Sequence, residues 1–129
     1  MEITRSQRTA VAERITQLER AFYGRGPSNV KVSVSQDDPV SIVVLSIDSL
    51  TAADSVLSER GYQEAVVRHH DALHIATRAD FIEAVEEIVD ARVHAYLAQV
   101  HAMTGHAVRV FILAESGASA ELERDPAAP

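Results

Sequence analysis

The first segment of the chain has hydrophobic residues at helical spacing. They recur at steps of four, three and four residues, at Val11, Ile15, Leu18 and Phe22. This pattern predicts an amphipathic helix over residues 4–23, with Glu19 on another face. The helix should end at Gly24-Arg25-Gly26-Pro27, because glycine permits left-handed backbone and proline lacks the N–H that a helix needs.

Alternation with a period of two begins after this turn. Valines at 30, 32 and 34 alternate with polar residues, which is typical of a strand with one wet face. Turn-forming residues at 36–39 precede a second, β-branched stretch from Val40 to Ile47. The two stretches therefore predict an antiparallel hairpin whose second strand is the more buried.

The middle of the chain favours helix. Thr51 and Asp54 have the spacing of a helix cap, in which the hydroxyl accepts a backbone N–H and the carboxylate reaches back. We expect a short helix ending near Arg60, stopped by Gly61. A long helix should then run from Tyr62 to about Asp90, with residues 77–80 as the place where it can break. Its predicted apolar stripe is Tyr62, Val66, Leu73, Thr77, Phe81, Ala84 and Ile88.

A second hairpin completes the pattern. Val93, Ala95 and Leu97 alternate with more polar residues, and after a turn near Gly105 an apolar stretch covers residues 108–113. Paired strands predict an α+β fold, with a mainly antiparallel four-stranded sheet under an N-terminal helix and a long central helix. The order is α-β-β-α-α-β-β, in one domain over residues 1–114. Residues 115–129 are acidic and rich in alanine and proline, and we expect them to be disordered.

Composition narrows the classes of function. The chain has no cysteine, so thiolate catalysis and cysteine zinc sites are excluded and a reducing cytoplasmic location is expected. A net charge of −7 argues against nucleic acid as a partner. No apolar run is long enough to insert into a membrane.

Histidines offer the first candidate chemistry. His70 and His74 are four residues apart and would lie on adjacent turns of one helix, as metal ligands can. The zincin pattern, however, needs a glutamate after the first histidine and a further ligand, and neither is evident. We interpret His70 as a boundary residue flanked by His69 and His74, and expect no metal or other cofactor.

Two arginines could bind an anion. Arg25 lies between glycines, and Arg68 could join it at a cleft between sheet and helix. The loop at Arg25 leaves a helix C-terminus, however, whose dipole repels anions, so a solvated turn is the simpler interpretation.

Catalytic residues are not predicted. Four acidic residues on the long helix could pair for acid–base chemistry but are more typical of a solvated face, at Glu83, Glu86, Glu87 and Asp90. The serines at 41, 46, 49 and 55 lie in no nucleophile elbow.

Several segments in order resemble one family. They are Ala-Phe-Tyr-Gly-Arg-Gly-Pro at 21–27, Val-Val-Leu at 43–45, Leu50-Thr51, Ala84-Val85-Glu86, Val93, and Val110-Phe111-Ile112-Leu113. This arrangement resembles the MpsC family, also called YbcI-like, over residues 4–114. The family favours glycine where this chain has Asp90, and aspartate tolerates left-handed backbone better than most residues.

The resemblance implies an accessory protein near a sodium-translocating, membrane-potential-generating system, and no catalytic residues. We therefore expect a non-enzymatic cytoplasmic interaction module, a homodimer, with a membrane transport protein as a further partner. The first helix and a free sheet edge would offer surface for self-association. The alternatives are a small-ligand or anion sensor using Arg25 and Arg68, and metal-dependent hydrolysis through His70 and His74.

Overall fold

A computed structural model describes residues 1–115 of the chain. Their helices and strands are α1 (Arg5–Tyr23), β1 (Asn29–Ser35), β2 (Ser41–Ile47), α2 (Ala52–Glu59), α3 (Gln63–Ala76), α4 (Arg78–Val89), β3 (Val93–His101) and β4 (His106–Leu113). The predicted α+β class and both hairpins are confirmed. Of the predicted tail at 115–129, all but Glu115 lies outside the described residues.

The strands form one antiparallel sheet in the order β1-β2-β4-β3. The two hairpins meet through β2 and β4, where Val43 lies opposite Val110. This order was not predicted, because the pattern within each hairpin does not determine which of its strands pairs with the other hairpin. The sheet places the second and fourth strands at its centre, which is where the most continuous apolar runs occur.

The helices pack on one face of the sheet. Ile42 and Val44 of β2 and Phe111 of β4 form the core with Ile15 of α1 and Phe81 of α4. A smaller cluster under α2 and α3 contains Val66, Val100 and Ala107. Alternate residues of β2 and β4 are fully buried on this inner face, as the period of two requires.

The buried face of α1 differs from the prediction by part of a turn. Its buried residues are Val11, Ile15, Glu19 and Tyr23, while Phe22 is 41 % exposed. The apolar spacing placed Glu19 on another face because Glu19 is charged, although it lies one turn beyond Ile15. A carboxylate at that position is tolerated because it meets an arginine in the core, as described below.

The predicted long helix is two helices. Thr77 leaves helical backbone at φ −105° and ψ 5°, which ends α3 and begins α4. Its hydroxyl donates to the carbonyl of Leu73 at 2.7 Å. A side chain that bonds back one turn bends a helix, so the break falls inside the predicted region.

Strand β3 changes face after its first residue. The pairing with β4 shifts between Val93 and Ala95. A one-residue shift moves every later side chain to the opposite face, so Tyr96 is buried and Leu97 is 59 % exposed. The predicted inward set of Val93, Ala95 and Leu97 is therefore wrong after Val93.

Left-handed residues end two helices. Gly24 follows α1 at φ 80°, as predicted for the glycine-rich turn. Asp90 follows α4 at φ 52° and ψ 50° and makes the turn into β3 without glycine. Within residues 1–115, each helix lacks the length or the apolar character needed to cross a bilayer.

Candidate functional site

A buried ion pair joins the first helix to the last strand. Oε2 of Glu19 lies 2.6 Å from Nη1 of Arg109, and both side chains are completely shielded from solvent. Alternation along β4 directs Arg109 inward together with Phe111. The Arg109 Cζ atom lies 4.0 Å from the centre of the Phe81 ring, which gives the cation an aromatic surface as well as a counter-charge.

The remaining donors of Arg109 meet two tyrosines. Its Nη2 donates to the hydroxyl of Tyr23 at 2.7 Å, and its Nε donates to the hydroxyl of Tyr96 at 3.2 Å. Burial raises the pKa of Tyr23 to about 12, although the nearby Arg109 charge opposes the rise. Burial likewise raises the pKa of Tyr96. Both phenols therefore stay protonated at neutral pH.

Two serines complete the environment of Glu19. The hydroxyl of Ser46 donates to Oε2 at 2.5 Å, and the hydroxyl of Ser49 donates to Oε1. Ser46 lies on the inner face of β2, and Ser49 follows that strand. A buried carboxylate and a buried guanidinium are thus both supplied with several partners, as burial of charge requires.

This network, which we call the Glu19–Arg109 cluster, is suited to holding the fold together. Its members are Glu19, Tyr23, Ser46, Ser49, Tyr96 and Arg109, and all of them are buried. They connect α1 to three strands of the sheet. Because the ionic groups are enclosed and bonded to protein atoms, they have no surface on which to meet a substrate.

A second polar group lies between α2 and α3. Asp54, in the first turn of α2, has Oδ2 2.9 Å from Nε2 of His70. Its two oxygens lie 2.9 and 3.0 Å from Nδ1 of His69. Asp54 and His70 are buried, and the side chain of His69 is 47 % exposed. We call these three residues the Asp54 cluster.

Thr51 caps α2 as predicted, since its hydroxyl accepts the backbone N–H of Asp54 at 3.1 Å. The Asp54 carboxylate, however, is turned toward the histidines. Burial alone would raise the pKa of Asp54, but hydrogen bonds from His69 and Thr51 outweigh it and hold the pKa below its usual value. The carboxylate is therefore ionised at neutral pH.

The other predicted histidine is buried without a partner. His74 lies 5.9 Å from His70 between ring centres, and within the described residues neither of its ring nitrogens has a hydrogen-bond partner. Burial, together with the charge of Arg109, lowers the pKa of His74 to about 3. The interpretation of His70 and His74 as boundary or flanking residues is wrong, because the helix buries both.

The two predicted anion-binding arginines each have their own acidic neighbour. Arg25 Nη2 lies 2.9 Å from Oδ2 of Asp48, and its Nη1 donates to the carbonyl of Leu50 at 2.8 Å. Arg68 lies on the exposed side of α3, 3.8 Å from Glu64. These contacts give Arg25 a role in fixing the turn after α1. Joint anion binding by Arg25 and Arg68 stays a prediction.

The acidic residues of α4 lie together at the surface. A shallow depression is lined by Glu83, Glu86, Glu87, Asp90, Ala91 and Arg92. Glu86 accepts the backbone N–H of Val93 at 2.8 Å, and Glu87 lies 3.9 Å from Arg14. They form a solvated face, with contacts that fix the start of β3.

The outer face of the sheet, opposite to the helices, is apolar at its centre. In β2 and β4 the residues that alternate with the core are partly exposed, and two of them, Ser41 and His106, are polar. The apolar ones are Val43, Leu45, Ile47, Val108, Val110 and Ile112. Across the sheet Val43 pairs with Val110, and Val110 pairs with the exposed Leu97. We call these seven residues the outer sheet face.

The border of this face is polar and lacks acidic residues. Outward positions on β1 are Asn29, Lys31, Ser33 and Ser35, and those on the far half of β3 are Gln99 and His101. In the described strands, every outward position is thus free of aspartate and glutamate, although the chain has a net charge of −7. The acidic charge of the protein lies elsewhere.

Sequence reasoning missed both the Glu19–Arg109 cluster and the outer sheet face. Arg109 shares its side of β4 with Ala107, Phe111 and Leu113, so its position in the alternation indicated burial. Glu19 is one turn beyond Ile15, which indicated the same. A negative residue on the buried face of α1 and a positive residue on the buried face of β4 are the signal that could have predicted their ion pair. Predicting the outer sheet face would have required the strand order, which the sequence does not determine.

One family model matches nearly all of the described chain. It is described as "Na+-translocating membrane potential-generating system (MpsC)" and matches residues 4–115. The chain belongs to the MpsC family. The resemblance seen in the sequence is thereby confirmed, and this MpsC chain uses Asp90 in left-handed backbone at the turn between α4 and β3. Neither a curated protein nor a solved structure matches it.

Proposed function

We propose that this MpsC chain is a non-enzymatic, cytoplasmic accessory protein that docks through its outer sheet face, and that a second copy of the chain occupies that face. The observation that carries the proposal is the outer sheet face itself, an apolar surface on the side of the sheet away from the helices of residues 1–115. Surfaces of this kind on small proteins are typical of interaction sites.

Charge and symmetry favour a second copy as the occupant. A protein with a net charge of −7 repels another copy of itself, but the outward positions of the described strands carry no carboxylate. Two such faces can meet around a twofold axis without bringing acidic groups together. Lys31 at the β1 edge is the one fully charged group at an outward strand position.

The size of the face suits a modest dimer. The sheet has four strands spaced about 4.8 Å apart, and a strand of seven residues rises about 3.3 Å per residue, so the projected area of the face is roughly 450 Å². A standard interface buries about 800 Å² of accessible surface on each partner. The face is therefore at the small end for a stable interface, and we expect association that depends on protein concentration.

The family description supports a place beside a membrane system. We propose that the dimer acts as a partner of a sodium-translocating, membrane-potential-generating assembly rather than as its membrane-spanning part. We assign the Glu19–Arg109 cluster to the stability of the fold, because its charged groups are enclosed and bonded to protein atoms.

Sedimentation velocity over a range of concentrations tests the dimer. The wild-type chain should form dimers, and Leu97→Lys should be monomeric because it places a charge in the interface. Ile75→Lys is the matched control, since Ile75 is 55 % exposed and Leu97 is 59 % exposed, but Ile75 lies on α3. A wild-type monomer at every concentration, or a dimer that survives Leu97→Lys, would contradict the proposal.

A further inference from the structure

The Asp54 cluster brings three ligand-bearing side chains to one point. A carboxylate oxygen of Asp54, a ring nitrogen of His69 and a ring nitrogen of His70 all lie within 4.8 Å of one another. Asp54 begins α2, and the histidines occupy successive positions in the middle of α3. Residues from two helices thus meet at the seam between them.

We propose that Asp54, His69 and His70 bind a divalent transition-metal ion of the zinc class, with solvent completing the coordination. Two imidazoles and a carboxylate are a donor set that such ions prefer. In a tetrahedral zinc site neighbouring donors are about 3.3 Å apart, since each lies about 2.0 Å from the metal. The Asp54 oxygens lie 2.9 to 3.0 Å from the histidine nitrogens, and all three donor atoms lie within 4.8 Å of one another, so the side chains would shift to draw the three donors around the ion.

The charges and protonation states also fit a cation. Metal ligands must be deprotonated, and the ionised Asp54 supplies a negative charge from a buried position. His70 is buried beside it, with Nε2 2.9 Å from the Asp54 carboxylate. The Nε2 atom of His70 faces the Asp54 carboxylate, so its proton must move to Nδ1 for Nε2 to bind the ion, and Nδ1 has no hydrogen-bond partner in residues 1–115.

Access is available from one side. The side chain of His69 is 47 % exposed, whereas those of Asp54 and His70 are 2 % and 0 % exposed. An ion would therefore arrive from the side of His69. Bound there, it would tie the first turn of α2 to the middle of α3.

His74 is not a ligand in this site, although its spacing from His70 suggested one. Its ring centre lies 5.9 Å from that of His70, and the donor atoms that come together are those of Asp54, His69 and His70. The ligands that accompany His70 in the proposed site are Asp54 and His69, not the His74 that the sequence suggested. The Asp54 cluster lies between α2 and α3 and shares no residue with the outer sheet face, so the inference is independent of that face.

Zinc titration of the full chain tests the site. Protein stripped of metal with a chelator should bind one equivalent of Zn²⁺ in competition with a chromophoric chelator, and the ion should raise the melting temperature. Co²⁺ should give the visible absorption bands of a site with nitrogen and oxygen ligands. His69→Ala should weaken binding by more than about tenfold and abolish the thermal shift.

Two variants serve as controls. His101→Ala removes an exposed histidine that bonds to Thr104, and His74→Leu removes the buried neighbour, so both should bind zinc like the wild type. We choose His69→Ala because His69 is partly exposed, so its removal should leave the fold intact. Circular dichroism of the variant checks this. Failure of the wild type to bind one equivalent, or equal binding by His69→Ala, would overturn the proposal.

Discussion

Glu19 and Arg109 lie 90 positions apart in the sequence and form a fully buried ion pair with 2.6 Å between Oε2 and Nη1. Tyr23, Ser46, Ser49 and Tyr96 surround the pair. Low polarity in the interior strengthens each of these bonds and makes the loss of any one charge costly. The cluster therefore acts as one unit that fixes α1 on the sheet.

Removing one charge should be worse than removing both. Glu19→Leu leaves Arg109 buried without its counter-ion, and we expect the free energy of unfolding to fall by about 3–5 kcal/mol. Adding Arg109→Met to this variant should recover a large part of the loss. Urea denaturation measures all four members of the cycle. A double variant whose loss equals the sum of the two single losses would show that the pair is not coupled.

The buried His74 should make the fold sensitive to mild acid. Its pKa is about 3 in the folded chain, against about 6.5 when unfolded. Below pH 6.5 the unfolded chain therefore binds a proton that the folded chain does not. The free energy of unfolding should fall with decreasing pH by up to about 1.4 kcal/mol per pH unit.

Other groups can be separated from this effect. His70, whose pKa is also lowered by burial, acts in the same direction. The lowered pKa values of Asp48 and Asp54 change stability only as pH falls below their usual value of 3.8. His74→Leu should raise stability at pH 7 by about 1 kcal/mol, because it removes an unpaired polar group. The same variant should lose less of its free energy of unfolding than the wild type between pH 7 and 5. An unchanged dependence on pH would exclude His74 as the source of the loss.

Replacing Asp90 with glycine should stabilise the fold. Its φ of 52° and ψ of 50° are strained for a residue with a side chain. We expect the free energy of unfolding to be about 1 kcal/mol higher for Asp90→Gly than for Asp90→Ala. Both variants remove the carboxylate, and only glycine relieves the strain. Asp80→Gly, in the first turn of α4, should instead destabilise. If Asp90→Ala matched Asp90→Gly, charge rather than backbone strain would explain the gain.

The sequence predicted what local pattern controls. Alternation located both hairpins, and the turn residues Gly24 and Thr51 marked element ends because their backbone preferences act over a few residues. Leu97 was placed on the wrong face because a single shift in pairing within β3 is invisible to local alternation. Glu19 was placed outside the core because its partner is supplied by the far end of the chain.

The candidate sites depended still more on distant contacts. His70 was singled out, but its ligand partner Asp54 comes from another helix and reads locally as a helix cap. The outer sheet face exists only because β4 lies beside β2, so Val43 and Val110 meet on a side that the helices leave open. Single-strand patterns cannot supply that adjacency.

Thiol protection at the centre of the outer sheet face tests the proposed docking surface most directly. The chain contains no cysteine, so Val110→Cys reports on that face alone. Its reaction with a bulky maleimide should be slow in concentrated protein and fast after dilution, while Ile75→Cys on α3 should react equally fast in both. A Val110→Cys thiol that reacts at the same rate at every protein concentration would contradict a face closed by a second copy of the chain.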